Sequence, residues 1–194
     1  MRLLASIRPP WHIVAHLESV VRPERATDTE LAWTYPAHWR IHLAGFGDIA
    51  RADVPDLCEH VAERVAELPA PRLWFESIAA DDDNPADGLW VGVAGETAVV
   101  GVLAAAIPGW VRSFGLLLDR RAYRPRVQLA RVGHRVSPGH VREIADRLDG
   151  YRGRSWVSDC VTLGHEIPAV PHGEAGFAVV HEAFFQGRAA DGTA

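Results

Sequence analysis

Two four-residue segments carry the most specific chemical pattern in the chain: Arg40-Ile41-His42-Leu43 and, 86 residues later, Arg126-Val127-Gln128-Leu129. In an extended strand alternate side chains share a face, so Arg40 and His42 point one way while Ile41 and Leu43 point the other. The second copy sets Arg126 and Gln128 against Val127 and Leu129 in the same way. If both strands line one cleft, two guanidinium groups, an imidazole and a carboxamide converge there. A guanidinium fork matches two phosphate oxygens, and such charge-assisted bonds are roughly twice as strong as neutral ones. The pattern therefore predicts a phosphate site, with Arg40, His42, Arg126 and Gln128 as substrate-binding residues.

Acid–base chemistry at such a site falls to His42. Arginine, with a pKa above about 12, does not release its proton, whereas an unperturbed imidazole titrates near about 6.5. Like-charge repulsion from Arg40 and Arg126 should lower the His42 pKa and leave the ring neutral and able to accept a proton. His42 is thus the one candidate catalytic residue. The plainer role, a hydrogen bond to ligand or to its own strand, is the commoner one for an isolated histidine. His38 shares the strand parity of Arg40 and His42, unless the chain is still turning after Pro36, and is a further candidate ligand contact.

The flanks extend the pattern. Leu31-Ala32-Trp33-Thr34-Tyr35-Pro36-Ala37-His38-Trp39 precedes the first copy and Ala44-Gly45-Phe46-Gly47-Asp48-Ile49 follows it, while Tyr123-Arg124-Pro125 and Ala130-Arg131-Val132 bracket the second. With the opening Met1-Arg2-Leu3-Leu4-Ala5-Ser6-Ile7-Arg8-Pro9-Pro10 and the late segment Trp156-Val157-Ser158-Asp159-Cys160-Val161-Thr162-Leu163, the chain resembles the bacterial RNA 2′,3′-cyclic phosphodiesterase or 2′-5′ RNA ligase family of the two-histidine phosphoesterase superfamily. The resemblance implies an α+β, bilobal fold in which two antiparallel sheets surround a central cleft and helices pack outside.

It also implies a hydrolase using His-x-Thr or His-x-Ser in both segments, the histidines acting as general acid and general base. Here arginine stands in both histidine slots, and His42 and Gln128 stand in the threonine slots. The family's proton shuttle is therefore absent from these positions, while anion recognition survives. Arg131 matches the arginine that follows the family's second motif. Its parity is opposite to that of Arg126 and Gln128 unless a bulge intervenes, so it is a weaker candidate contact.

Composition narrows the partners. At 194 residues with 48% hydrophobic and 23% charged, the chain suits a single bilobal domain with a filled core. Every basic residue is arginine, and the formal net charge of −5 argues against a protein that coats extended double-stranded nucleic acid. A focused cationic pocket on an acidic body suits a phosphorylated small molecule, a nucleotide or an RNA terminus. Cys58 and Cys160 have neither the number nor the spacing of a disulfide framework or zinc site, the remaining histidines lack metal-ligand spacing, and no cofactor or metal is expected. No apolar run approaches a membrane span and no signal-like segment opens the chain, so a cytoplasmic monomer is expected.

The elements that must position these residues alternate. Strands are predicted over 2–7, 39–46, 73–78, 89–94, 124–132, 156–163 and 176–184. A helix after Pro9-Pro10 should turn Trp11, Val14, Ala15, Leu17 and Val21 inward. A second, capped at Asp53, carries the stripe Val54, Leu57, Cys58, Val61, Ala62 and Val65. A third runs from Glu96 with a break near Pro108-Gly109, and a fourth opens at Ser137-Pro138. Asp81-Asp82-Asp83-Asn84-Pro85 reads as a solvated turn and 186–194 as a flexible tail. Most of the seven tryptophans read as core fillers, although Trp39 or Phe46, beside the first motif, could stack a base.

Three functions follow: a phosphate-binding module that has lost the two-histidine chemistry; a divergent phosphodiesterase, lyase or cyclase using His42 with Arg40 and Arg126; and a non-catalytic partner protein.

Overall fold

Around the largely buried strand that follows Met1 the chain builds its first sheet. The computed structural model describes residues 2–80, 88–110, 123–133, 136–167 and 176–188. Strand β1 (Arg2–Ile7) lies between β3 (Ile41–Asp48) and β8 (Cys160–Ile167), and β9 (Gly176–Phe184) closes the order β3-β1-β8-β9. The second sheet has the order β2-β6-β5-β4-β7, built from β2 (Leu31–Trp33), β6 (Arg126–Val132), β5 (Leu89–Gly95), β4 (Arg72–Ala80) and β7 (Trp156–Val157). All strand pairs in both sheets are antiparallel.

Helices cover the outer faces, leaving a central cleft between the sheets. Helix α2 (Val54–Val65) packs on β8 and β9, α3 (Thr97–Trp110) on β3, and α4 (Pro138–Arg147) on β4. The α2 stripe is buried at Val54, Leu57, Cys58, Val61 and Val65. Each such side chain contributes about 1.5–3 kcal/mol, and Leu57→Ala would forfeit about 2–5 kcal/mol through the cavity left behind. Ser137 caps α4 by accepting from the His140 amide at 3.2 Å.

Helix α1 (Trp11–Thr27) buries Ile13, Leu17 and Val21. Its C-terminal end is fastened to α4: Arg147 donates to Glu24 at 2.8 Å and His140 Nε2 pairs with Asp28 at 2.6 Å. Asp28 also accepts from the Leu31 amide and the Trp33 indole, so one carboxylate ties α1, β2 and α4.

Several expectations are corrected. Trp11 is 79% exposed and Ala15 also faces solvent, because the inward face of α1 is set by Ile13, Leu17 and Val21. Trp39 and Phe46 are only 2% and 1% exposed, so both rings belong to the core and cannot stack a base. The first motif strand starts at Ile41: Pro36–His38 forms a single 3-10 turn, and although Trp39 is already extended, pairing with β1 begins only where Ile41 opposes Ile7. Helix α3 runs through Pro108 to Trp110, so the proline removes one i→i−4 hydrogen bond without ending the helix. The three-residue β2 is too short to carry a readable alternation. The expected tail is still tied at its start, where the Gln186 amide donates to the Leu68 carbonyl and Arg188 pairs with Asp159. The acidic turn 81–85 lies outside the described residues.

Candidate functional site

Register decides which side chains share the cleft face of the first sheet. Ile7 opposes Ile41 and Ala5 opposes Leu163, all buried toward the helices. One position over, Ser6 opposes both His42 and Thr162, and Thr162 opposes Glu182. Directly opposed residues project from the same side of a sheet, so His42, Ser6, Thr162 and Glu182 form one row across the four strands on the face away from the helices. A bulge between Ala5 and Ser6 sets this register.

Arg40 precedes β3 and reaches across this face. Its Cζ lies 3.7 Å from the centroid of the Phe177 ring on β9. Because β1 and β8 lie between β3 and β9, the Arg40–Phe177 pair spans both inner strands. Gly164 of β8 makes room for it: a Cβ there would come within 2.3 Å of the Phe177 ring and of the Ala178 carbonyl. The other edge of the guanidinium is fixed by the turn before β3, with Nε donating to the His38 carbonyl at 3.3 Å and Nη2 to Ala37 at 3.4 Å.

Arg40 is only 7% exposed, and no carboxylate forms a salt bridge with it among the described residues. Burial, followed by the charge of Arg8, lowers its pKa to about 10, against a smaller opposing effect of Glu166. His42 is held below the usual imidazole range by the protein packed around it and then by Arg40, with Glu166 again opposing. By surface area His42 is open to solvent, so solvent screens part of the desolvation that lowers its pKa. Neither effect removes the Arg40 charge at neutral pH; both leave His42 neutral.

The second motif lies on the other sheet. Arg126 opposes Gly92 and Gln128 opposes Trp90, so all four share a face, and the Arg126 Cζ lies 4.0 Å from the Trp90 ring centroid. Val127 and Leu129 are buried on the reverse. Arg131 follows the exception that parity allowed: a bulge lets Ala130 oppose Leu89 while Gln128 opposes Trp90, which returns Arg131 to the Arg126 and Gln128 face. Tyr123, just ahead of β6, donates its hydroxyl to the His42 carbonyl at 2.7 Å and links the two motif segments. His38 belongs to the 3-10 turn, half-buried, with its ring edge-on to Tyr35.

Phe177, Gly164, Ser6, Arg8 and Glu166 are absent from the sequence-based site. The spacing of Thr162, Gly164 and Glu166 at alternate positions of β8, and of Ser6 and Arg8, was the available signal, but it acquires meaning only once β1 and β8 are known to be neighbours. A cavity of about 430 Å³ lies elsewhere, between β4 and α4, lined by Ile78, Arg142, Asp146 and Asp149. No cluster of metal-ligating side chains occurs among the described residues. Nor is any helix among them long and apolar enough to cross a membrane.

Two sheets around a cleft with helices outside define a two-histidine-phosphoesterase-like fold, and solved structures share it. TT0787 of Thermus thermophilus superposes with a TM-score of 0.70 at 16% identity, covering 95% of this chain and 97% of its own. Escherichia coli LigT complexed with 3′-AMP gives a TM-score of 0.72 at 15% identity over 95% of this chain and 97% of LigT. A protein described as a phosphoesterase gives 0.71 at 16% identity, over 95% and 98%. LigT has also been solved with NADP+, ATP and phosphate. No protein-family model and no curated protein sequence matches the chain.

Proposed function

We propose that this chain binds a phosphate-bearing nucleotide, a cyclic phosphate or an RNA end in its central cleft, and that the two-histidine chemistry of the fold has been lost. The single observation that carries this reading is Arg40: a guanidinium almost wholly withdrawn from water, close to Arg8 and bonded only to carbonyls among the described residues. A buried charge balanced only by the weaker field of Glu166, with no salt bridge among the described residues, is costly, and an anion in the cleft would offset that cost. The carbonyl bonds and the Phe177 ring fix the plane of the guanidinium while leaving Nη1 without a recorded partner.

Arg40 is the primary phosphate ligand. Arg126, supported on Trp90 of the second sheet with Gln128 beside it, is the second phosphate ligand, and Arg131 and His38 contribute at the margins. LigT structures holding 3′-AMP, ATP, NADP+ and phosphate support the same ligand class for this fold. The protein works as a cytoplasmic monomer, without a metal.

A second reading is favoured by His42 alone. A neutral imidazole on the cleft face, next to a permanent cation, can remove a proton while the arginines stabilise charge on phosphorus. Such an enzyme would act as a divergent phosphodiesterase, lyase or cyclase.

Calorimetry with 3′-AMP and inorganic phosphate, alongside turnover assays on 2′,3′-cyclic nucleotides and a 2′,5′-linked dinucleotide, separates the two. Binding without turnover supports the module. Turnover abolished by both His42→Ala and Arg126→Ala supports the enzyme. Absence of both binding and turnover overturns the phosphate reading.

A further inference from the structure

Ser6 lies at the centre of the cleft face, completely buried, and its hydroxyl has no hydrogen-bond partner. An unpartnered buried hydroxyl forfeits the bonds it made to water, so its presence here calls for a partner that arrives in another state. By register Ser6 stands directly opposite two polar side chains, Thr162 on β8 and His42 on β3, with Cβ atoms of opposed residues about 4.5–5.5 Å apart; Thr162 is already engaged with the Cys160 thiol, which leaves His42 as the titratable neighbour. The His42 ring likewise has no recorded hydrogen bond among the described residues. The buried hydroxyl of Ser6, without a partner, and the solvent-accessible His42 ring, titratable and on the face proposed to hold phosphate, need only a side-chain rotation to meet.

We infer that Ser6 is a positioning residue for His42, and that the two join through a Ser6 hydroxyl to imidazole hydrogen bond when an anion occupies the cleft. One ring nitrogen then engages Ser6 and the other is turned toward the phosphate-bearing ligand in a single tautomer. The pair deepens the proposed function and rests on it. It also serves both readings, since a binding imidazole and a general base each require a fixed orientation. Two features of the surroundings favour coupling to the ligand. The Arg40–Phe177 pair crosses the strand that carries Ser6, so an anion drawn to Arg40 arrives beside the serine. The bulge at Ala5 and Ser6 brings the serine into register with His42.

The experiment compares the full chain with Ser6→Ala and Ser6→Thr. It measures 3′-AMP and inorganic phosphate affinity by calorimetry, thermal stability without ligand, and the His42 ring nitrogens by ¹⁵N NMR, assigned by their loss in His42→Gln. The expected result is a 3- to 10-fold weaker affinity in Ser6→Ala, restored in Ser6→Thr, with unliganded stability unchanged or raised. The ligand-bound wild type should show one His42 tautomer and the bound Ser6→Ala a mixture. Equal affinity and identical His42 nitrogen shifts in wild type and Ser6→Ala overturn the inference while leaving phosphate binding intact. A stability loss in Ser6→Ala without an affinity change assigns the serine a packing role and also overturns it. Failure of the wild type to bind either probe overturns the phosphate reading and the pair together.

Discussion

The Arg40 guanidinium lies over the Phe177 ring with its Cζ 3.7 Å from the centroid, joining the two edge strands of the first sheet across the strands between them. This stack holds a cation inside the cleft with its plane fixed. The contact combines residues 137 positions apart in sequence, and it makes the proposed site depend on β9 as much as on the motif strand.

Removing the guanidinium should abolish recognition while sparing the fold. Arg40→Met is expected to weaken phosphate binding at least about 30-fold, since a charge-assisted bond contributes about 1.5–3 kcal/mol and more than one is lost. Unliganded thermal stability should change little, because deleting a buried, uncompensated charge offsets the lost stacking and carbonyl bonds. Calorimetry and a melting curve check both halves.

Phe177→Ala should weaken the same affinity by about 3- to 30-fold, the equivalent of a cation–π contact of about 0.5–2 kcal/mol. Gly164→Ala reaches the stack from below. Its new Cβ would meet both a ring and the Ala178 carbonyl at 2.3 Å, and backbone cannot swing aside as a side chain can. A stability loss of about 1–3 kcal/mol, measured by denaturant unfolding, is expected together with weakened binding.

The His42 pKa is lowered by burial and by Arg40, so its NMR titration midpoint should fall below the ordinary 6.5. A group charged more easily in the unfolded chain destabilises the fold as pH falls: this cost is absent well above 6.5 and develops below it. Bound phosphate should move the midpoint upward, because an anion favours the imidazolium. If His42 acts as a base, turnover should rise with pH through the lowered value and then level off.

The Asp28–His140 pair has the opposite sign at neutral pH. The hydrogen bond to Asp28 raises the His140 pKa, so its stabilisation is present below 6.5 and fades as pH rises through the higher folded value. Burial would raise the Asp28 pKa, but bonds from His140, Leu31 and Trp33 prevail and lower it, so its contribution disappears only as pH falls below the ordinary carboxylate range. His140→Ala should therefore cost more stability at pH 6 than at pH 8.5, about 1–3 kcal/mol at the lower value, in parallel urea titrations.

Tyr123→Phe removes the hydroxyl that donates to the His42 carbonyl at 2.7 Å. A cost of about 0.5–1.5 kcal/mol is expected, with faster exchange of backbone amides in β3 and β6.

Local elements, and the orientation of individual side chains wherever one face is buried, are legible in the order of the residues. The alternation in Arg40 to Leu43 and Arg126 to Leu129 forces the apolar residues toward the helices, the α2 stripe is a 3.6-residue period, and Ser137-Pro138 caps α4; each depends on residues within a turn or two. What lies in the cleft beside the motifs depends on how distant strands pair. Arg40 meets Phe177, Ser6 meets His42, and Arg131 rejoins Arg126 through strand order, register and a bulge. Those depend on pairing energies summed over strands far apart in the chain, and no local periodicity encodes them. Trp11 and Trp39 illustrate the same division: tryptophan favours burial, yet which of the two enters the core depends on the face that neighbouring elements cover.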